Sequence, residues 1–95
     1  MPAYVIADIE ITDPVGYEEY RRRVPATIAQ YGGRYLARGG RAETLEGGWQ
    51  PRRLVVIEFP TMSQARAWYE SDEYREPRAI RHRCSEGQAV LVEGL

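Results

Sequence analysis

Ninety-five residues make one domain, and a chain of this length withdraws only ~60 to 65 per cent of its unfolded surface, so its core is modest and self-association would help it. Thirteen basic residues against 14 acidic ones leave a formal charge of -1 spread over both halves; there is no basic face of the kind a phosphate backbone demands, which excludes nucleic acid as the expected partner. All 13 basic residues are arginine, and without lysine there is no Schiff-base chemistry and no lysine-anchored pyridoxal cofactor.

Cys84 is the single cysteine, so no internal disulfide framework exists. The start MPAYVIADIEI has no positively charged n-region and reaches an acid at Asp8, which reads as a strand and not as a signal peptide. No apolar run approaches the ~18 to 20 residues of a membrane span. The expectation is a soluble, cytoplasmic protein that does not engage a membrane.

From Ala3 to Ile11 the residues alternate with period two: Val5, Ala7, Ile9 and Ile11 share one face, Tyr4, Ile6, Asp8 and Glu10 the other. Thr12-Asp13-Pro14 supplies a capping side chain and then a proline at the first helical position, where its missing N–H costs nothing. Tyr17, Tyr20, Val24, Ile28 and Tyr31 follow as an apolar stripe at spacings of three and four. Pro25, inside that stripe, is expected to bend or divide the helix, and Gly32-Gly33 to stop it.

Arg34 to Arg38 reads as a second strand, Gly39-Gly40 as a bulge or bend, Ala42 to Leu45 as a further extended stretch, and Gly47 to Pro51 as a hairpin loop. The clearest strand runs from Arg53 to Phe59, with Leu54, Val56 and Glu58 on one face and Val55, Ile57 and Phe59 on the other. Thr61 and Gln64 have the form of a capping box before a helix that turns Ala65, Trp68 and Tyr69 inward. Ser71-Asp72 breaks that helix, Pro77 to Arg83 is expected as a short third helix, and Gln88 to Glu93 as the last strand.

The order predicts an α+β, ferredoxin-like βαββαβ domain over residues 1–95, with a four-stranded antiparallel sheet covered by helices on one face. The other face would carry Ile6, Leu36, Leu54 and Val56 beside Asp8, Arg38 and Glu58. A face that is half apolar and half charged suits a homodimer formed sheet to sheet.

YVIADIEITDP, YGGRYLARGG, RRLVVIEFP and ARAWYESDEY together span essentially the whole chain and resemble a bacterial family, domain of unknown function 1330, within the dimeric α+β barrel superfamily. The resemblance implies a ferredoxin-like protomer that pairs through its sheet. It implies no reaction, because the family has none established. Wider relatives include cofactor-free monooxygenases, muconolactone isomerase, haem-degrading enzymes and stress-induced barrels, a likeness of fold only.

Three groups of residues are candidates for chemistry. Asp8, Arg38 and Glu58, if the strand parities hold, would form a cluster in which burial and like charge raise one carboxyl pKa while the arginine keeps the other ionised, giving a general acid and base; the same cluster also reads as a structural ion-pair network in a dimer interior. Tyr31, Tyr35 and Trp68 suit the wall of a pocket for a flat organic ligand, while Tyr17, Tyr20 and Trp68 at helical spacing also read as plain core. His82, the only histidine, is a general-base or ligand candidate by its near-neutral pKa, or a solvated residue between Arg81 and Arg83. One His and one Cys cannot supply an ordinary zinc site, the glycine pairs at 32, 39 and 47 lack the spacing of a phosphate loop, and no cofactor is expected. The expected function is binding of a small organic ligand by a homodimer, with cofactor-independent proton transfer or oxygenation as its chemistry; the alternative is a non-catalytic stress-related or regulatory dimeric module.

Overall fold

The computed structural model describes residues 1–95, ordered as β1 (Ala3–Ile11), α1 (Pro14–Gln30), β2 (Arg34–Arg38), β3 (Leu54–Phe59), α2 (Met62–Tyr69), α3 (Asp72–Cys84) and β4 (Ser85–Glu93). The four strands form one antiparallel sheet in the order β2-β3-β1-β4, the ferredoxin-like arrangement. The helices cover one face only, so the molecule is a slab of 35 × 32 × 16 Å. The registers Val5↔Ile57, Val5↔Leu91 and Ala3↔Phe59 align the apolar parity of β1 with that of its neighbours. Ile9, Ile57 and Phe59 thereby join Tyr17, Val24, Ile28, Trp68, Tyr74 and Ile80 in the buried core.

Local signals set the helix ends. The Asp13 carboxylate accepts from the Gly16 N–H at 3.1 Å, with Pro14 just inside α1. At the other end Gly32, with φ of 80°, donates to the Ala29 carbonyl, and Gly33 to that of Ile28; this left-handed closure is one that glycine adopts without steric cost. Thr61 caps α2 through the Gln64 N–H, and the Gln64 side-chain amide in turn donates to the Tyr31 carbonyl, tying the start of α2 to the end of α1.

Several expectations are corrected. Pro25 does not divide α1, which continues from Pro14 to Gln30 around it. The third helix begins not at Pro77 but at Asp72, because Ser71 caps it by accepting from the Tyr74 N–H; Pro77 lies buried inside the helix. Ala42 to Leu45 belong to no strand: residues 39–53 are one long loop between β2 and β3. β4 starts three residues earlier than Gln88, at Ser85.

The most consequential correction lies in β2. Arg34 pairs with Glu58 and Tyr35 with Ile57, but Ala37, not Leu36, pairs with Val56, and Arg38 with Val55. One extra residue shifts the alternation, as a β-bulge does. Arg38 is therefore carried to the helix side with Tyr35 and Val55, and does not share the open face with Asp8 and Glu58.

Candidate functional site

Between the sheet and the helices lies a cavity of about 40 Å³, room for roughly three water-sized groups. Its floor is the helix-facing parity of the strands, Val5, Ala7, Ile9, Val55, Ile57 and Ala89. Its walls are six aromatic rings, Tyr17 and Tyr20 of α1, Tyr35 of β2, Trp68 and Tyr69 of α2, and Tyr74 of α3. The rings hold one another: Trp68 lies 4.1 Å from Tyr74 between centroids, and Tyr17 5.2 Å from Tyr20. Trp68 is fixed further by its indole N–H, which donates to the Thr27 hydroxyl at 3.0 Å, while that hydroxyl donates to the Val24 carbonyl.

Four arginines complete the lining: Arg21, Arg38, Arg53 and Arg81. Arg38 lies over the Tyr35 ring, 4.6 Å from its centroid, and donates to the backbone carbonyl of Arg21 at 2.8 Å. That carbonyl is free because Pro25, four residues on, has no N–H to give it. Arg53 and Arg21 both approach the Tyr17 ring, at 5.9 and 6.0 Å. Gly39, at φ of 73°, leaves room for the Arg53 guanidinium where a Cβ would collide with it.

Two phenols in the lining, Tyr35 and Tyr20, are held in their protonated form. Burial pushes the Tyr35 phenol up to about 12, and burial together with the neighbouring Tyr74 pushes Tyr20 higher still. The Tyr20 and Tyr74 hydroxyls share a buried hydrogen bond of 2.9 Å. No carboxylate and no imidazole lines the cavity.

The residues expected to act together are thus dispersed. Tyr35, Arg38 and Trp68 meet at the cavity. Asp8 and Glu58 lie on the open face of the sheet, and because Tyr4 is the residue opposite Glu58, Asp8 is four positions away along the strand, roughly 13 Å. Glu58 is occupied by Arg34 at 2.8 Å. Asp8 accepts from the Trp49 indole N–H at 2.9 Å and from the backbone N–H groups of Arg52 and Arg53, which holds its carboxyl below the usual range. It pins the end of the 39–53 loop to the sheet. Tyr31 stands outside the cavity and donates to Glu73 at 2.8 Å. His82 is exposed; partial burial, then the charges of Arg81 and Arg78, lower its pKa.

Arg21, Arg53, Arg81 and Tyr74 are cavity residues that the periodicity did not single out as site candidates. Arg21, one turn beyond Tyr17 on the apolar stripe of α1, was the available signal. No three His, Cys, Asp or Glu side chains gather as a metal-holding group, and no helix is long and apolar enough to cross a membrane.

A four-stranded antiparallel sheet with helices on one face and an aromatic cavity between them defines a ferredoxin-like α+β domain of the kind found in α+β barrels. The family model for the domain of unknown function DUF1330 matches residues 2–95, and the chain belongs to that family. No curated protein matches it. Among solved structures it is similar to the RPA0582 protein of unknown function from Rhodopseudomonas palustris, with a TM-score of 0.77 and 16% identity over 99% of this chain and 82% of that one. It is also similar to SnoaB, a cofactor-independent oxygenase from Streptomyces nogalater, with a TM-score of 0.66 and 12% identity over 99% and 93% of the two chains. A third likeness is to a putative antibiotic biosynthesis monooxygenase from Nitrosomonas europaea, with a TM-score of 0.57 and 17% identity over 99% and 90%. At these identities the likenesses establish the shared fold.

Proposed function

We propose that the cavity binds a small flat organic molecule, and that the protein does so as a homodimer paired through the open face of its sheet. The observation that carries the first part is the wall of six aromatic rings around a space between sheet and helices, with Arg38 and Tyr35 placed to orient a polar edge. Val90 and Val92, 60% and 45% exposed, support the second: Val90 is registered with Ile6 and Val92 with Tyr4 on the uncovered side. In this reading Asp8 and Glu58 face the partner across the sheet, and Tyr31 and His82 lie at the rim of the helical layer.

Binding without catalysis is the reading the lining favours, since it holds guanidiniums and protonated phenols but no group that accepts a proton near neutral pH. A second reading, cofactor-independent oxygenation of the bound molecule, draws on the fold shared with SnoaB. There the guanidiniums would stabilise an enolate oxygen, and the base would have to be the molecule's own or the solvent's.

The test is a set of small planar compounds of about three or four heavy atoms added to ¹⁵N-labelled protein. Shifts should concentrate at the Trp68 indole N–H and the amides of Tyr35, Val55 and Ile57. Shifts confined to exposed positions, Trp49 among them, would remove the reading. Light scattering should give twice the 10.9 kDa of the chain.

A further inference from the structure

Seven acids of this protein have an arginine partner within 3.5 Å: Glu10 with Arg52, Glu18 with Arg21, Glu19 with Arg22, Glu43 with Arg41, Glu58 with Arg34, Asp72 with Arg75 and Glu76 with Arg23. Three of the four lining arginines are left out of this pairing. Arg38, Arg53 and Arg81 have no carboxylate within 4.0 Å, and the Glu18 partner of Arg21 is an exposed one. A chain whose net charge is -1 thus gathers at its aromatic cavity three of the six arginines that have no carboxylate partner, the others being Arg66, Arg78 and Arg83.

The donors themselves are also unspent. The Nε groups of Arg21 and Arg53 are withdrawn from solvent without a hydrogen-bond partner in the chain. A buried charged donor left unmatched is among the costlier arrangements in a folded protein. Stacking on Tyr17 and Tyr35 offsets part of the cost of desolvating the guanidiniums, yet a ring face accepts no N–H in the guanidinium plane. An oxyanion does, and the guanidinium fork matches a carboxylate with two parallel hydrogen bonds.

We infer that the cavity selects a small anionic ligand, a carboxylate of about three or four heavy atoms whose carboxylate is bound by Arg53 with Arg38 beside it and any remaining carbon of which lies among Tyr17, Tyr35 and Trp68. This rests on the proposed binding of a flat molecule and adds its charge. The size of the cavity, roughly three water-sized groups, sets the limit at about three or four heavy atoms, short of an aromatic ring.

The experiment compares acetate with acetamide, its neutral isostere, on the wild-type protein and on Arg53→Gln, following the arginine Nε–H and Trp68 indole resonances. Acetate should bind at least about tenfold more tightly than acetamide, with the Arg53 Nε–H moving downfield, and R53Q should erase that preference while keeping weak binding of both. Equal binding of the two compounds to the wild type overturns the inference and leaves the flat-ligand reading standing. Binding of neither up to about 10 mM overturns both. A preference that survives in R53Q overturns the assignment to Arg53. The wild-type comparison and the Arg53 Nε–H shift need no variant, so failure of R53Q to fold leaves the inference decidable.

Discussion

The guanidinium of Arg38 donates to the Arg21 carbonyl at 2.8 Å, and that carbonyl is open to it because Pro25 interrupts the helical ladder there. The proline costs α1 one backbone bond, and the edge strand replaces it with a charged donor. In Pro25→Ala, the new N–H would take the Arg21 carbonyl back. Urea unfolding should show a gain of up to about 3 kcal/mol, while the Arg38 Nε–H resonance broadens and acetate binds several-fold more weakly. A variant that gains stability with Arg38 unmoved would show that the carbonyl serves both donors and that the proline positions nothing.

Trp68 is held from the polar side as firmly as from the apolar one. Trp68→Phe keeps most of the ring packing but removes the donor to Thr27, and should cost about 1–3 kcal/mol by thermal unfolding. Pairing it with Thr27→Val in a double-mutant cycle should recover part of that loss; strict additivity would mean the bond contributes nothing.

Asp8 reads as the pin of a loop. Its carboxyl is held below the ordinary value by Trp49 and by two backbone N–H groups, so the contribution to stability is complete above about pH 4 and is lost as the pH falls through the lowered folded value. In Asp8→Ala at neutral pH, amide exchange at Arg52 and Arg53 should accelerate and Trp49 emission should move toward that of free indole. The wild type should reproduce both changes only in acid.

Tyr35 titrates on the other side of neutrality. With its phenol raised to about 12 against about 10 in an unfolded chain, the protonated form is the native one, and the stability it contributes is present below pH 10 and disappears as the pH climbs toward 12. Absorbance at alkaline pH should show a late-ionising fraction that Tyr35→Phe reduces by one residue. A single transition near the ordinary value would mean that the cavity admits water freely.

Dimerisation through the open face is checked at its most exposed apolar strand residue. Val90→Asp places a charge opposite Ile6, and light scattering should give the monomer mass with the far-ultraviolet spectrum unchanged. An intact dimer would move the interface elsewhere.

Strand and helix identity was legible because β1 and β3 alternate cleanly and because Asp13, Thr61 and Gly32 are strong terminal signals. Pro25 and Pro77 were over-read: local sequence announces the missing bond, whereas burial of Pro77 and the donor from Arg38 decide whether the helix goes on. The candidate site was legible only in part. Tyr35, Arg38 and Trp68 were named and do meet, but for Arg38 the parity count pointed to the wrong face, since no residue type in Arg34 to Arg38 marks a bulge. The cavity arginines escaped notice because charge on an amphipathic helix or at a strand start ordinarily means solvent, and only the three-dimensional pairing of the acids shows which cations are left over.

The irregularity between Tyr35 and Ala37 has a further effect at the border of the sheet. β2 is an outermost strand, five residues long, with an arginine at each end, and a strand so short and kinked makes a poor template for another chain to extend. Growth of the sheet sideways into fibrils is discouraged on that border.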